Sequence, residues 1–401
     1  MTETSSEASV KRRPLLFLTQ AMAAYGGGSC VTAWALQALE SNWDVTILCA
    51  SRPDFAGIDR HFGTALEGKA FTIWQLPFPL RHLHRLDPDP FSVQRLAWMM
   101  RFCRARSDRY DVVVSCDDEL DFGRPGVSYT HFPYLTPHLA TLRRNDEAAT
   151  LRRFGRMLTG SCPPWMFISG IRLSSLRSNQ MICNSQWTAD HTGHIYDVEP
   201  KVLYPPVVWR RPVTDWRQRR FAFVAIGRLS PSKRYLEMID ILERVRARGF
   251  GLEFEIIGDP DRLARDAYVN HLRSRIERAG DWCRLHVSVS RDRLEELVSG
   301  CRFGLHGLHD EHFGIAPAEM LRAGCVVFVP NSGGQTEIVN ADPALVYDSD
   351  DQAVDKICRL LADEAEQERV RRRLQTAAER FSEERFMAGF RDIVKEFADG
   401  R

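Results

Sequence analysis

Pro14-Leu-Leu-Phe-Leu-Thr19, followed by Gly26-Gly27-Gly28, residues 29–39 and Val45-Thr-Ile-Leu-Cys49, decides the fold of this chain. The two outer runs are short and apolar, as strands buried on both faces are. Residues 29–39 are long enough for three helical turns, and the glycines before them make a turn. Strand, glycine turn, helix, strand is the repeating unit of a doubly wound α/β sheet. Residues 112–115 and 181–183 read as later buried strands of the same sheet. Residues 221–226, 253–257, 284–287, 303–305 and 326–329 repeat the rhythm, with helical stretches between them. Residues 201–215 hold Pro205, Pro206 and Pro212 and read as a linker between the two halves.

Composition agrees with two globular domains, since 401 residues exceed one ordinary core. A hydrophobic share of 44% and a charged share of 27% are those of a soluble protein. The net charge of +1 gives no global attraction to nucleic acid or anionic membrane, so any such attraction must be local. The ten cysteines stand singly, without Cys-x-x-Cys or zinc spacing, and read as reduced, mostly buried thiols of a cytosolic protein. Lys11-Arg12-Arg13 precedes a continuous apolar run of only residues 15–18, too short for a signal peptide or a span.

Glu311-His-Phe-Gly-Ile-Ala-Pro-Ala-Glu319 places two carboxylates eight positions apart around a glycine and a proline. Pro317 suits the first turn of a helix, and Gly314 lets the backbone before it approach a ligand. The N–H groups of such a helix start face an anion, with Glu311 before it and Glu319 inside it. Arg228 and Lys233 flank a short turn after the strand 221–226, where a doubly wound sheet binds its ligand.

These motifs resemble the retaining glycosyltransferases of family 4, with the GT-B fold of two Rossmann-like domains facing across a cleft and a Glu-x7-Glu motif. Gly227-Arg228-Leu-Ser-Pro-Ser-Lys233 is similar to the family's phosphate-binding turn, and Asn331-Ser-Gly333-Gly334-Gln-Thr-Glu337 to its Gly-Gly-x-x-Glu loop. Within the family, Glu311-His312-Phe313-Gly314-Ile315 and the Gly333-Gly334 loop most resemble the branch that adds α-1,2-mannose to lipid-linked oligosaccharide from GDP-mannose. Tyr25-Gly-Gly-Gly28, Ser128-Tyr-Thr-His-Phe-Pro133 and Cys183-Asn-Ser-Gln-Trp-Thr188 resemble that branch more loosely, and its eukaryotic members begin with a membrane helix that this chain does not show.

The resemblance implies an acceptor-side domain at 14–205, a nucleotide-sugar domain at 216–385, and a C-terminal helix at 386–401 returning to the first domain. It implies Arg228 and Lys233 on the diphosphate, Glu311 on the donor sugar, Glu319 on the ribose and His131 on the sugar or acceptor. Gly27, Gly28, Gly227, Phe313, Gly314, Ile315, Gly333 and Gly334 are the nucleotide-sugar-binding candidates, with a UDP- or GDP-sugar as donor substrate and neither cofactor nor metal. Residues 287–291 are candidates for the base pocket, and Glu337 for a ligand contact or an ordinary helix cap.

Other clusters keep more than one reading each. Asp117, Asp118 and Glu119 follow a strand and either hold acceptor hydroxyls or make an acidic loop exit. His131 is either a sugar contact or a structural histidine. Asp87-Pro-Asp89, near His82 and His84, matches Asp-x-Asp but lies in a proline-flanked loop rather than at a strand exit, which argues against a metal site. Arg143, Arg144, Arg152, Arg153, Arg156, Arg172 and Arg177, against Asp146 and Glu147 and around Trp165-Met-Phe167-Ile, form a peripheral patch at the inner face of a membrane, an acceptor channel for a phosphorylated lipid, or a solvated face over an ordinary core. The expected function is transfer of a hexose to a glycan or lipid-linked hydroxyl. A transferase of soluble small molecules and a noncatalytic sugar-nucleotide-binding subunit are the alternatives.

Overall fold

The computed structural model of the chain describes residues 12–20, 22–23, 25–81, 93–146, 150–160, 162–260 and 267–400. The chain divides into two compact units. The first comprises residues 1–183, 191–201 and 387–401, and the second residues 184–190 and 202–386.

In the first unit, β1 (Arg13–Thr19), β2 (Trp43–Cys49), β3 (Thr72–Gln75), β4 (Val112–Ser115), β5 (Val127–Thr130), β6 (Gln180–Cys183) and β7 (Lys201–Val202) lie in the order β3-β2-β1-β4-β5-β6-β7. The neighbours from β3 to β6 pair in parallel. A parallel sheet needs crossover helices on its faces, which is why β4 and β5 are buried from end to end and β1 and β2 over most of their length. The helix Gly27–Leu39 is the first crossover, and it packs Val31, Ala35, Leu36 and Leu39 into the core.

The second unit holds β8 (Arg220–Ile226), β9 (Glu253–Gly258), β10 (Cys283–Val287), β11 (Cys301–Leu305), β12 (Val326–Pro330) and β13 (Val346–Tyr347), in the order β10-β9-β8-β11-β12-β13. All of its pairs are parallel. The chain winds outward from β8 in one direction and from β11 in the other, so the crevice for a ligand opens at the carboxyl ends of β8 and β11.

The structure adds strands and revises borders. β3 and β5 escape a search for apolar runs, because Thr-Ile-Trp-Gln lies half exposed and Val-Ser-Tyr-Thr buries three hydroxyls. Residues 202–215, read as linker, belong to the second unit, where Val207 and Trp209 are core residues and the Val207 N–H donates to the Phe381 carbonyl at 2.9 Å. The prolines hold this stretch extended while its apolar residues dock. Residues 387–401 fall in the first unit, where Arg13 pairs with Asp399 at 2.6 Å and Lys201 with Glu396 at 2.5 Å.

A Cβ added at Gly258, the last residue of β9, would stand 2.0 Å from the Gly227 carbonyl oxygen. Gly258→Ala should therefore push the turn after β8 outward and destabilise the protein by about 1–3 kcal/mol, as overpacking does. Urea denaturation measures this, and an unchanged midpoint would show that the two strands do not depend on that approach.

Candidate active site

The second unit gathers its polar residues at the carboxyl ends of β8, β11 and β12. After β8, Gly227 takes a φ of 147°, its N–H donates to the Ile257 carbonyl, and the turn Pro231–Lys233 follows. Arg234 then adopts a left-handed φ of 58° and donates to Asp350 at 3.1 Å, with its Nη1 2.8 Å from His309 Nε2. After β11, residues 306–314 form the loop carrying Glu311. After β12, Gly333 and Gly334 close onto that loop, and the Gly334 N–H donates to the Glu311 carbonyl at 2.8 Å. A Cβ at Gly333 would meet the Glu311 carbonyl oxygen at 2.4 Å, and one at Gly334 would meet the His312 carbonyl at 2.3 Å. Both glycines thus act first on the backbone that positions Glu311.

Lys233 Nζ lies 2.5 Å from Glu311 Oε2, and His306 Nε2 lies 3.4 Å from the same oxygen. Burial alone would raise the Glu311 carboxyl, but the imidazole and the ammonium outweigh it and hold it at about 2. Burial lowers His306 below its usual range, a fall that Lys233 deepens and Glu311 opposes. Glu319, inside the helix Ile315–Arg322, pairs with Arg291 Nη1 at 2.5 Å. Arg291 also bonds Glu295 and the Val208 carbonyl and lies over the Trp209 ring. Its pKa rises although burial opposes this, because the Glu319 and Glu295 carboxylates prevail.

Some expected residues have other surroundings. The Phe313 side chain is buried between Tyr204 and Phe381, so only its backbone is left for a ligand. Ile315 opens the helix and packs on the core, and Gly314 precedes it at a φ of 105° over the Pro317 ring. Glu337 accepts from the N–H groups of Gln186 and Trp187 at 3.0 Å each and from the Tyr204 hydroxyl at 2.9 Å. It is a cap for the first turn of the helix Gln186–Tyr196. Burial and the Glu337 charge push Tyr204 up to about 12. Arg228 is exposed on the turn after β8.

In the first unit, Gly27 and Gly28 open the first helix, and a Cβ on Gly28 would stand 3.5 Å from His131 Nε2. His131 follows β5, and its Nε2 is 3.1 Å from the Cys116 carbonyl, which fixes the proton on that nitrogen. The acidic trio binds backbone. Asp117 accepts from the Gln20 N–H, Asp118 from the N–H groups of His131 and Phe132, and Glu119 from those of Tyr134 and Leu135 and from the Tyr196 hydroxyl at 2.7 Å. Burial raises Asp117 to about 6, against the pull of the Gln20 N–H, and raises Asp118 and Glu119 too. The loop-exit reading of these residues prevails over the acceptor one. Arg153 is buried and donates to the Met166, Gly170 and Ile171 carbonyls, so it is not part of a surface patch.

His82, His84, Asp87, Asp89 and Glu147 lie outside the described residues. A cavity of about 400 Å³ on β10, lined by Arg273, Ile276, Glu277, Leu285 and Val287, contains one residue of the expected base pocket and none of the charged groups above. His306 and the role of Arg234 carry no sequence signal, and Arg291, expected only within the base-pocket stretch 287–291, instead holds Glu319. Non-glycine residues with positive φ mark Arg234 beside Lys233, Asp310 beside Glu311 and Asp118 beneath His131. Strained backbone of this kind gathers at functional sites, and no sequence pattern reveals it.

Residues 210–380 match the family model described as Glycosyl transferases group 1. The matched span lies within the second unit, and solved structures agree on the fold. Anabaena HepE in complex with UDP superposes with a TM-score of 0.66 at 16% identity, over 97% of this chain and 100% of that one. WaaG, a glycosyltransferase involved in lipopolysaccharide biosynthesis, gives 0.59 at 14%, over 95% and 99%. The chain is also similar to the GDP-Man:Man(3)GlcNAc(2)-PP-Dol alpha-1,2-mannosyltransferases of Mus musculus and Homo sapiens. Identity is 25% over 66% of this chain and 59% of the mouse protein, and 23% over 67% and 60% for the human one. The chain spans about three fifths of the length of these curated relatives.

If Glu337 is a cap, Glu337→Ala should lower stability by about 1–3 kcal/mol through the loss of three accepted hydrogen bonds. Chemical denaturation and donor affinity should be measured together. Unchanged stability with lost donor binding would return Glu337 to the ligand.

Proposed function

We propose that this chain is a retaining hexosyltransferase that moves a sugar, with mannose preferred, from a GDP-sugar to a hydroxyl of a lipid-linked glycan. The observation that carries the reading is the Lys233, Glu311 and His306 cluster at the carboxyl ends of β8 and β11, within the span that matches group 1 glycosyltransferases. GDP-mannose and a diphosphate lipid acceptor are favoured because the printed names of the curated relatives specify them. A UDP-sugar is the second reading, favoured by the UDP in the HepE structure.

In this account Arg228, Lys233 and the backbone N–H groups of the turn offset the charge that develops on the departing diphosphate. Glu311 binds hydroxyls of the donor sugar, and Glu319, held by Arg291, binds the ribose. Gly227, Gly314, Gly333 and Gly334 let backbone approach the nucleotide sugar. The acceptor attacks on the face that the phosphate leaves, and the leaving phosphate helps remove its proton. The protein contributes positioning and fixed charge, and no metal enters the scheme.

The helix Thr150–Leu158 supports peripheral membrane contact. Leu151 is 85% exposed, Leu158 68% and Phe154 43%, and all three lie on one helical face beside exposed Arg152. Apolar side chains facing outward among arginines suit the headgroup boundary of an anionic bilayer. Among the described residues no helix is long and apolar enough to cross a membrane.

Lys233→Ala and Arg228→Ala should each lower transfer from GDP-mannose about a hundredfold or more, while excess EDTA leaves the parent rate nearly unchanged. Rates within a fewfold of the parent would remove both cations from the reaction, and loss on EDTA restored by Mg²⁺ would remove the metal-free scheme.

Replacing Leu151 and Leu158 by Asp, with Arg152→Glu, should abolish sedimentation with phosphatidylglycerol vesicles and slow transfer to a lipid acceptor. Transfer to a short water-soluble analogue should persist. Equal loss with both acceptors, or no vesicle binding by the parent, would favour a soluble acceptor.

A further inference from the structure

Lys233 has two demands on one ammonium group. It sits 2.5 Å from Glu311 Oε2, and under the donor reading, on which this inference rests, it also meets the diphosphate. A carboxylate in a largely enclosed site is destabilised when its cation turns away, unless another donor takes its place. His306 is the group placed to do so. It is 3% exposed, its Nε2 makes no hydrogen bond, and that nitrogen lies 3.4 Å from the same Glu311 oxygen, just beyond ordinary hydrogen-bond reach. Its main chain is clamped on both sides, since its N–H donates to the Phe328 carbonyl at 2.9 Å and its carbonyl accepts from the Tyr347 hydroxyl. The ring therefore faces Glu311 from a fixed base.

We propose that His306 is a positioning residue that takes over the Glu311 carboxylate when Lys233 engages the donor diphosphate. A small closure from 3.4 Å makes the Nε2–H bond, and Glu311 stays oriented toward the donor sugar while the ammonium is drawn away. The charged groups facing the imidazole are Glu311 on its own loop and Lys233 on the turn after β8, and Tyr347 of β13 contributes a hydroxyl at its carbonyl. With the ring buried and the Lys233 ammonium close by, the imidazole is held below its usual range, against the pull of Glu311. Once the diphosphate matches the ammonium, Glu311 dominates, and the imidazole takes up a proton. Donor affinity then strengthens as pH falls toward the ordinary histidine range.

The test is calorimetric titration of the parent protein with GDP-mannose, whose phosphates do not titrate near neutrality, in two buffers of different ionisation enthalpy. Uptake of a measurable fraction of a proton is expected. His306→Gln keeps an N–H donor but cannot titrate, so it should bind GDP-mannose within a fewfold of the parent without proton uptake. His306→Ala should bind about tenfold more weakly or worse, the loss expected when a hydrogen bond to a charged group is removed. Parent binding without proton uptake would overturn the proposal, as would equal affinities of the Gln and Ala variants. No binding of either GDP-mannose or UDP-glucose by the parent would overturn the donor reading, and this inference with it.

Discussion

The Gly227 carbonyl, the Glu311 peptide and the His312 carbonyl each lie where a Cβ on a neighbouring loop would have to go. Gly258, Gly333 and Gly334 leave that space, and Gly307 does the same against Lys233 and Arg234. The second unit therefore brings the loops after β8, β11 and β12 together through main chain rather than side chain. A doubly wound sheet directs those loops to one edge, but only glycine lets them come within hydrogen-bonding distance of one another. Everything charged in the site inherits its position from this contact.

Once the loops nest, electrostatics follows. Glu311 is placed between an ammonium and an imidazole, which together reverse the effect of burial and keep the carboxylate ionised far below neutrality. Glu319 is fixed by Arg291, itself anchored on Glu295 and Val208. Both carboxylates of the Glu-x7-Glu pair are thus held against cations of the second unit, and fixed charge of this kind is preorganised.

The apolar strand runs, the turn after β8 and the 311–319 spacing were legible because each depends on local sequence: burial on both faces, a glycine before a helix, a proline in its first turn. β3 and β5 were not, since exposed Thr72 and buried Ser128 carry no apolar signature. The pairing of Glu319 with Arg291 joins residues 28 apart in sequence, and that of Glu337 with the start of the helix at Gln186 joins residues about 150 apart. Topology alone brings such partners together. Phe313 and Arg153 were misjudged for a related reason, because an aromatic in a motif and an arginine in a basic run both look exposed until their neighbours are known.

We propose above all that the turn Gly227–Lys233 holds the diphosphate of a nucleotide sugar. Thermal unfolding across a concentration series of GDP-mannose tests it most directly, because a ligand bound only to the native state raises the midpoint with concentration. A rising midpoint is expected for the parent chain and a largely flat one for Lys233→Ala. A flat series for the parent with GDP-mannose and UDP-glucose alike, or equal rises in parent and variant, would contradict it.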